Sequence, residues 1–165
     1  MLKSVSLGAA LSNRSPATLT RNARTIGLVD WHEVFDLAGV DFVDLQYGDN
    51  RQARAGAVAR GARLHAPGID PLLDLEGLAA LIRALDRVIT IDNSTAHLAG
   101  AVGTRAWVIL PAAPDWRWML QREDSPWYPC VRLFRRVRNE PGDVVMSQVA
   151  AALESWIEED HGGVR

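Results

Sequence analysis

A polar segment between an apolar run and a run of small residues is the part of the sequence best suited to chemistry. It consists of Asp92, Asn93, Ser94, Thr95, Ala96 and His97. The β-branched residues 88–91 before it are typical of a strand, and residues 95–102 predict a helix that stops at Gly103 in the left-handed conformation. A helix that begins directly at the carboxyl end of a strand has free backbone N–H groups there. Together with the helix dipole, these groups can bind phosphate or diphosphate.

The residues of this segment admit two interpretations. In the functional one, the amides of Ser94, Thr95 and Ala96 and the two hydroxyl groups hold a diphosphate. His97 then adds a hydrogen bond or a positive charge. In the structural one, Asn93 or Ser94 is only a helix N-cap, and His97 is a hydrogen-bonded core histidine. The local pattern does not decide between them.

Other segments could complete such a site. Gln46 and Tyr47 could contact a base or a sugar through the amide and the ring face, although a simple turn explains them equally well. The polar loop of residues 8–24 has three arginines that could neutralise phosphate, and a solvated basic loop is the commoner explanation. Residues 114–119 and 125–129 are rich in Trp and Pro. Such aromatic loops stack on sugars or bases, or form a rigid cover, and we favour the cover.

Several common signatures of catalysis are missing from the sequence. The first loop has neither the dinucleotide-binding glycine pattern nor that of a P-loop. The four histidines have no metal-ligand spacing, and no Gly-x-Ser-x-Gly elbow occurs. We therefore predict no metal and no resident cofactor. Cys130 has no Cys or His pattern near it, which predicts a small, partly buried residue.

Length and composition describe an ordinary globular domain. The chain has 165 residues, 48% hydrophobic and 23% charged, and we expect one domain over residues 1–160 with a tail at 161–165. The net charge of −2 gives no global electrostatic case for binding nucleic acid. The sequence has no apolar run of membrane-spanning length, no signal-peptide pattern and a single cysteine, so we expect a cytoplasmic protein without a membrane span.

Strand-like and helix-like segments alternate along the chain. The predicted strands are 5–7, 41–45, 63–65, 88–91, 105–110 and 131–134, and the predicted helices are 31–38, 50–60, one capped by Asp74, 95–102 and 143–159. Asp30 and Glu33 have capping-box spacing. Leu75, Leu78, Ile82 and Leu85 share one helical face. The alternation predicts an α/β fold whose parallel sheet of about six strands is covered on both faces and binds ligands beyond the carboxyl ends of the strands.

Four segments together resemble a known family. They are DLQYGD at 44–49, residues 77–101 with the core IDNSTAHLAG, PDWRW at 114–118 and SPWYP at 125–129. The chain resembles the C-terminal half of GT-B glycosyltransferases over residues 3–156. It is most similar to the heptosyltransferase-like family 9 type, which in bacteria is often fused behind tetratricopeptide repeats.

The resemblance implies a Rossmann-like three-layer domain that binds a nucleoside-diphosphate sugar as donor substrate. Residues 92–97 would meet the phosphates of the donor. Gln46 and Tyr47 would lie near the nucleoside. Ser12, Asn13 and Arg14 of the first loop would face the donor from the cleft, although this loop lacks the Trp and the Gly-Asn pair that the family usually has there.

In that family the active site is the cleft between two halves, and the other half supplies the acceptor site and usually the catalytic base. Nothing in the 165 residues replaces that half, so we expect glycosyl transfer to require an N-terminal GT-B half or a repeat domain from a longer protein or another chain. His97 is the one candidate base within the polar segment, and we rank it first as a phosphate contact. The alternative function is a non-catalytic binding or interaction module derived from such a transferase half.

Overall fold

Strands and helices alternate through the part of the chain that the structure, a computed structural model, describes: residues 3–8, 26, 28–47, 51–138 and 141–162. The strands are β1 (Lys3–Gly8), β2 (Val40–Asp44), β3 (Leu64–His65), β4 (Arg87–Ile91), β5 (Ala106–Leu110) and β6 (Val131–Arg135). The α-helices are α1 (His32–Phe35), α2 (Arg51–Ala59), α3 (Leu75–Ala84), α4 (Ser94–Val102) and α5 (Gly142–Gly162). Two 3-10 turns, Leu28–Trp31 and Trp116–Trp118, precede α1 and follow β5. None of the described helices combines the length and the apolar composition that crossing a membrane requires.

All six strands run parallel in one sheet, in the order β3-β2-β1-β4-β5-β6. The predicted α/β fold with a mainly parallel sheet of about six strands is thereby confirmed. From β1 at the centre of the sheet, the chain adds β2 and then β3 toward one edge. It then returns to β4 beside β1 and adds β5 and β6 toward the other edge. In this Rossmann-type order, ligands bind at the carboxyl ends of the strands where the direction reverses. Here that point lies between β1 and β4, where Gly8 pairs with Thr90.

Helices cover both faces of the sheet because side chains of the central strands alternate between two cores. Ile89 and Ile91 of β4 belong to the core beneath α1 and α5, whereas Val88 belongs to the core beneath α3 and α4. Every residue of β4 and of β5 is buried. This double burial explains why the sequence of these strands is almost continuously apolar.

The two outer edges of the sheet are short or partly paired. Beyond β6, the chain folds back so that the backbone N–H of Leu133 donates to the carbonyl of Glu123 at 2.7 Å. Asp124 forms an isolated antiparallel bridge with Arg132 beside it. The opposite edge strand, β3, has only two residues.

Two details of the predicted helices are wrong. The helix predicted over 31–38 is a 3-10 turn followed by the four residues of α1, and its cap position, Trp31, makes no side-chain capping hydrogen bond. The Trp31 ring is fully buried in the core beneath α1 and α5. Leu75 is 63% exposed, because it is the first residue of α3 and precedes the buried stripe that begins at Leu78.

Other predicted helix ends are confirmed. Asp74 caps α3 and accepts a hydrogen bond from the Gly77 N–H at 2.8 Å. Gly103 ends α4 with a φ of 78°, in the left-handed region that favours glycine. Helix α5 reaches Gly162, so it includes the first two residues of the predicted tail.

Candidate ligand site at the carboxyl edge of the sheet

Asn93 is the residue that opens α4. Its backbone is extended, and its Oδ1 accepts hydrogen bonds from the Ala96 N–H at 3.3 Å and from the Thr90 hydroxyl at 3.1 Å. Asn93 is therefore the N-cap. Because the cap uses the Ala96 N–H, the first-turn N–H groups that remain for an anion are those of Ser94 and Thr95, which have no intrahelical acceptor.

The side chains of the same turn point in different directions. Ser94 is exposed at the surface, whereas Thr95 is only 3% exposed. Of the two hydroxyl groups predicted to contact a phosphate, the structure thus presents that of Ser94. The turn begins two residues after Ile91, the last residue of β4, and so lies where β4 and β1 end side by side.

His97 and Asp92 are held by aromatic side chains from the Trp-rich segment. The His97 ring stacks on Trp118 with 5.1 Å between ring centroids and an interplanar angle of 20°. Its Nδ1 lies 3.2 Å from the hydroxyl oxygen of Tyr128. The indole N–H of Trp118 donates to Asp92 Oδ1 at 2.7 Å. One ring nitrogen of His97, Nε2, is left for a ligand by this arrangement.

The Trp-rich segment is both a cover and an exposed surface. Trp118 is fully buried against the start of α4, as the structural interpretation of this segment predicts. Trp116 and Trp127 are exposed, and the indole N–H of Trp127 donates to the carbonyl of Arg117 at 2.9 Å. The sequence did not pair Trp118 and Tyr128 with residues 92–97. One signal for this pairing was available in the sequence. Trp118 and Tyr128 both follow β5 in the chain, and the carboxyl end of β5 lies beside that of β4.

Gln46 lies two residues beyond the carboxyl end of β2. Its backbone N–H donates to Asp44 Oδ1 at 2.9 Å, and its side chain is 6% exposed. Neither Nε2 nor Oε1 of this side chain has a hydrogen-bond partner within the described ranges. An unpaired buried amide costs about 1–3 kcal/mol, and both polar atoms of this amide are enclosed by the protein. Tyr47 is partly buried and packs on the core beneath α1 and α5.

The remaining predicted residues of the site, Ser12, Asn13 and Arg14, lie outside the described residues. Where side chains are described, no group of three His, Cys, Asp or Glu residues could hold a metal ion. Cys130 is partly buried, and its Sγ lies 3.9 Å from the carbonyl oxygen of Gly100.

The sequence matches no protein-family model. A curated relative, protein FlbA of Caulobacter vibrioides, is 41% identical over 128 residues, which are 76% of this chain and 21% of FlbA. The chain therefore spans about a fifth of the length of this relative.

Solved structures of two E. coli enzymes share the fold. The heptosyltransferase WaaC with ADP is similar with a TM-score of 0.57 and 18% identity, over 96% of this chain and 44% of WaaC. WaaC with ADP-2-deoxy-2-fluoro heptose gives a TM-score of 0.58 at the same identity and coverage. The ADP-heptose lipopolysaccharide heptosyltransferase II gives 0.58 and 15% identity, over 96% of this chain and 47% of the enzyme. The chain thus has the GT-B, heptosyltransferase-like fold of somewhat less than half of such an enzyme.

Proposed function

We propose that the chain is the nucleotide-sugar-binding half of a glycosyltransferase. The observation that carries this proposal is the position of the α4 N-terminus. It opens at the carboxyl ends of β1 and β4, where parallel sheets of this strand order bind their ligands. The diphosphate of the donor would accept hydrogen bonds from the N–H groups of Ser94 and Thr95 and from the Ser94 hydroxyl. His97 would add a contact through Nε2.

This arrangement suits the chemistry of glycosyl transfer. The bond between the anomeric carbon and the diphosphate oxygen breaks, and negative charge grows on the leaving diphosphate. Fixed N–H donors at a helix N-terminus stabilise such charge because they are oriented before the reaction starts. The acceptor oxygen forms the new bond to the anomeric carbon and loses its proton to a base. We assign that base to another domain, because we assign the remaining nitrogen of His97, Nε2, to the diphosphate of the donor.

The nucleoside would lie toward β2. The unpaired Gln46 amide could form hydrogen bonds with a base or ribose, with Tyr47 beside it and residues Ser12 to Arg14 facing the donor. ADP is the first nucleotide to test, because the similar WaaC structures contain ADP and an ADP-heptose analogue.

The acceptor and catalytic domain would come from an N-terminal GT-B half or a repeat domain, on a longer protein or another chain. Large apolar side chains are exposed in segments that follow the strand ends or lead into α3, such as Leu72, Leu73, Trp116 and Leu120. Exposed apolar groups of this kind often mark contact surfaces. The same surface favours the alternative, an interaction module that has kept the fold and lost the reaction.

Calorimetric titration of the chain with ADP, UDP, GDP and their sugars separates the two functions. The proposal expects one nucleotide to bind with a Kd of about 1 mM or tighter, and its sugar conjugate to bind at least as well. No heat with any of them at millimolar concentration would exclude the donor site and favour the interaction module. Sugar transfer by the isolated chain would show that no second domain is needed.

A further inference from the structure

A second site is suggested at the opposite end of the sheet, where Arg87 begins β4. The Arg87 side chain is 8% exposed and lies between two indole rings. Its guanidinium carbon is 4.2 Å from the ring centroid of Trp107 and 4.6 Å from that of Trp156. The indole rings contact the flat faces of the guanidinium group. Its N–H groups point outward in the plane of the group and take no part in these contacts.

Arg87 is a buried cation without a counterion. Its Nε has no hydrogen-bond partner, and no carboxylate lies within ion-pair distance of it among the described side chains. Arg105 and Arg132 repel it, and only Glu159 offsets them from a distance. Burial and these two like charges lower the pKa of Arg87 to about 10, so it remains charged at neutral pH. A buried charge left in this state is costly unless an anion pairs with it.

A groove of about 1180 Å³ opens over this cation, between β6 and α5. Five arginines and two glutamates line it, which leaves an excess of three positive charges in a chain whose net charge is −2. Arg132 lies 3.5 Å from Glu123, which is already counted in this balance. Asp124, outside the lining, pairs with Arg122 at 2.7 Å and lowers the excess to two positive charges. Arg87 and Arg105 have no such partner in the described ranges.

The size and lining of the groove favour an extended ligand. Small-molecule sites typically have volumes of about 300–1,000 Å³ and are closed around their ligand, whereas this groove is larger and open. Apolar surface from Trp107, Phe134 and Trp156 lies beside the arginines. An Arg fork that faces a carboxylate can donate two parallel hydrogen bonds, and indole rings can pack against apolar side chains.

We propose that this groove binds an acidic polypeptide segment of a partner, with one of its carboxylates paired to Arg87. The segment would carry apolar residues beside its acidic ones, to match the indole rings. The groove runs along β6, from Arg87 and Arg105 at the amino ends of the strands to Arg135 at the carboxyl end of β6. The proposed donor site is a different place, at the carboxyl ends of β1 and β4.

The test is a titration of labelled octapeptides that place Glu, Gln or Lys among Leu residues, followed by fluorescence anisotropy. The Glu peptide should bind, the Gln and Lys peptides should bind at least about tenfold more weakly, and added salt should weaken the Glu complex. Arg105→Glu, at an exposed position of the groove, should reduce binding of the Glu peptide about tenfold. Arg60→Glu, at an exposed position just after α2 toward the opposite edge of the sheet, is the matched control and should leave it unchanged.

Three results would overturn the proposal. They are no binding of the Glu peptide at millimolar concentration, equal losses from Arg105→Glu and Arg60→Glu, and inorganic phosphate or an oligonucleotide competing better than the peptide does. Titrations of the same variants with ADP distinguish the peptide site from the donor site. Arg105→Glu should not change ADP affinity, and failure of the peptide site would leave the donor-site result standing.

Discussion

The ring of Tyr128 packs directly on the backbone of Gly100, one turn along α4 from His97. A β-carbon at position 100 would overlap Cγ and Cδ1 of Tyr128, so only glycine leaves room for the ring. The small residues of α4 therefore serve two purposes. Ala96 and Ala99 are buried on the sheet, whereas Gly100 admits the aromatic residue whose hydroxyl lies against His97.

Gly100→Ala should destabilise the chain despite the better helix propensity of alanine. Propensity alone predicts a gain of about 1 kcal/mol, but the overlap with Tyr128 should cost about 1–3 kcal/mol, as overpacking does elsewhere. Urea denaturation measures the net change. In the Tyr128→Ala background the same substitution should become stabilising. A gain in stability with Tyr128 present would show that the ring can move aside without cost.

Ser94→Pro should weaken ADP binding about tenfold while α4 remains folded, because it removes one backbone N–H from the predicted diphosphate site. Proline is well tolerated at the first helical position, and the extended backbone of Asn93 accepts a following proline. Ser94→Ala is the matched control, since it loses the hydroxyl and keeps the N–H. If both variants bind ADP equally, the N–H of Ser94 is not a phosphate ligand.

Gln46→Met should move stability and affinity in opposite directions. Without ligand, the unpaired amide is a cost, so its replacement by a side chain of similar length should raise the free energy of unfolding by about 1 kcal/mol. With ligand, the lost hydrogen bonds should weaken ADP binding about tenfold. Gln52→Met, at an exposed position of α2, should change neither by much. A ligand-free chain made less stable by Gln46→Met would contradict this assignment.

Arg87 should give the chain an unusual stability profile at high pH. Folding lowers the pKa of Arg87 to about 10, mainly through burial, so above about pH 10 the unfolded chain binds more protons than the folded one. The contribution of Arg87 to the free energy of unfolding should therefore rise with pH above about 10, by about 1–3 kcal/mol, and be flat below it. The difference between the wild-type chain and Arg87→Met, measured by denaturation from pH 8 to about 11.5, isolates this contribution. A difference in the free energy of unfolding that stays constant over this pH range would contradict the prediction.

The sequence predicted the parts of the fold that depend on residues close to one another in the chain. The β-branched residues 88–91 predicted β4, and Gly103 predicted the end of α4, and both elements occur nearly as predicted. Each of these signals depends only on residues of the element that it predicts. The choice of Asn93 over Ser94 as N-cap was left open by the sequence. It depends on which side chain reaches back to the Ala96 N–H, and Asn93 is also held there by Thr90.

The contacts that complete both candidate sites join segments far apart in the chain. His97 meets Tyr128 across 31 positions, and Arg87 is enclosed by rings from β5 and α5. No local pattern encodes these distances, because they follow from how the helices pack on the sheet. The interpretation of His97 as a hydrogen-bonded histidine was therefore available from the sequence, but its partner Tyr128 and its stacking on Trp118 were not.

The hydrogen bond from Leu133 to Glu123 also bears on how the chain behaves at high concentration. Exposed sheet edges are templates on which other chains add strands, and this leads to aggregation. Here the β6 edge is partly paired with the returning backbone at residues 123–124, and the other edge is a strand of two residues. The sheet is thus a poor template for fibril growth at either side, and association with other proteins is directed to its ends and to the helical layers.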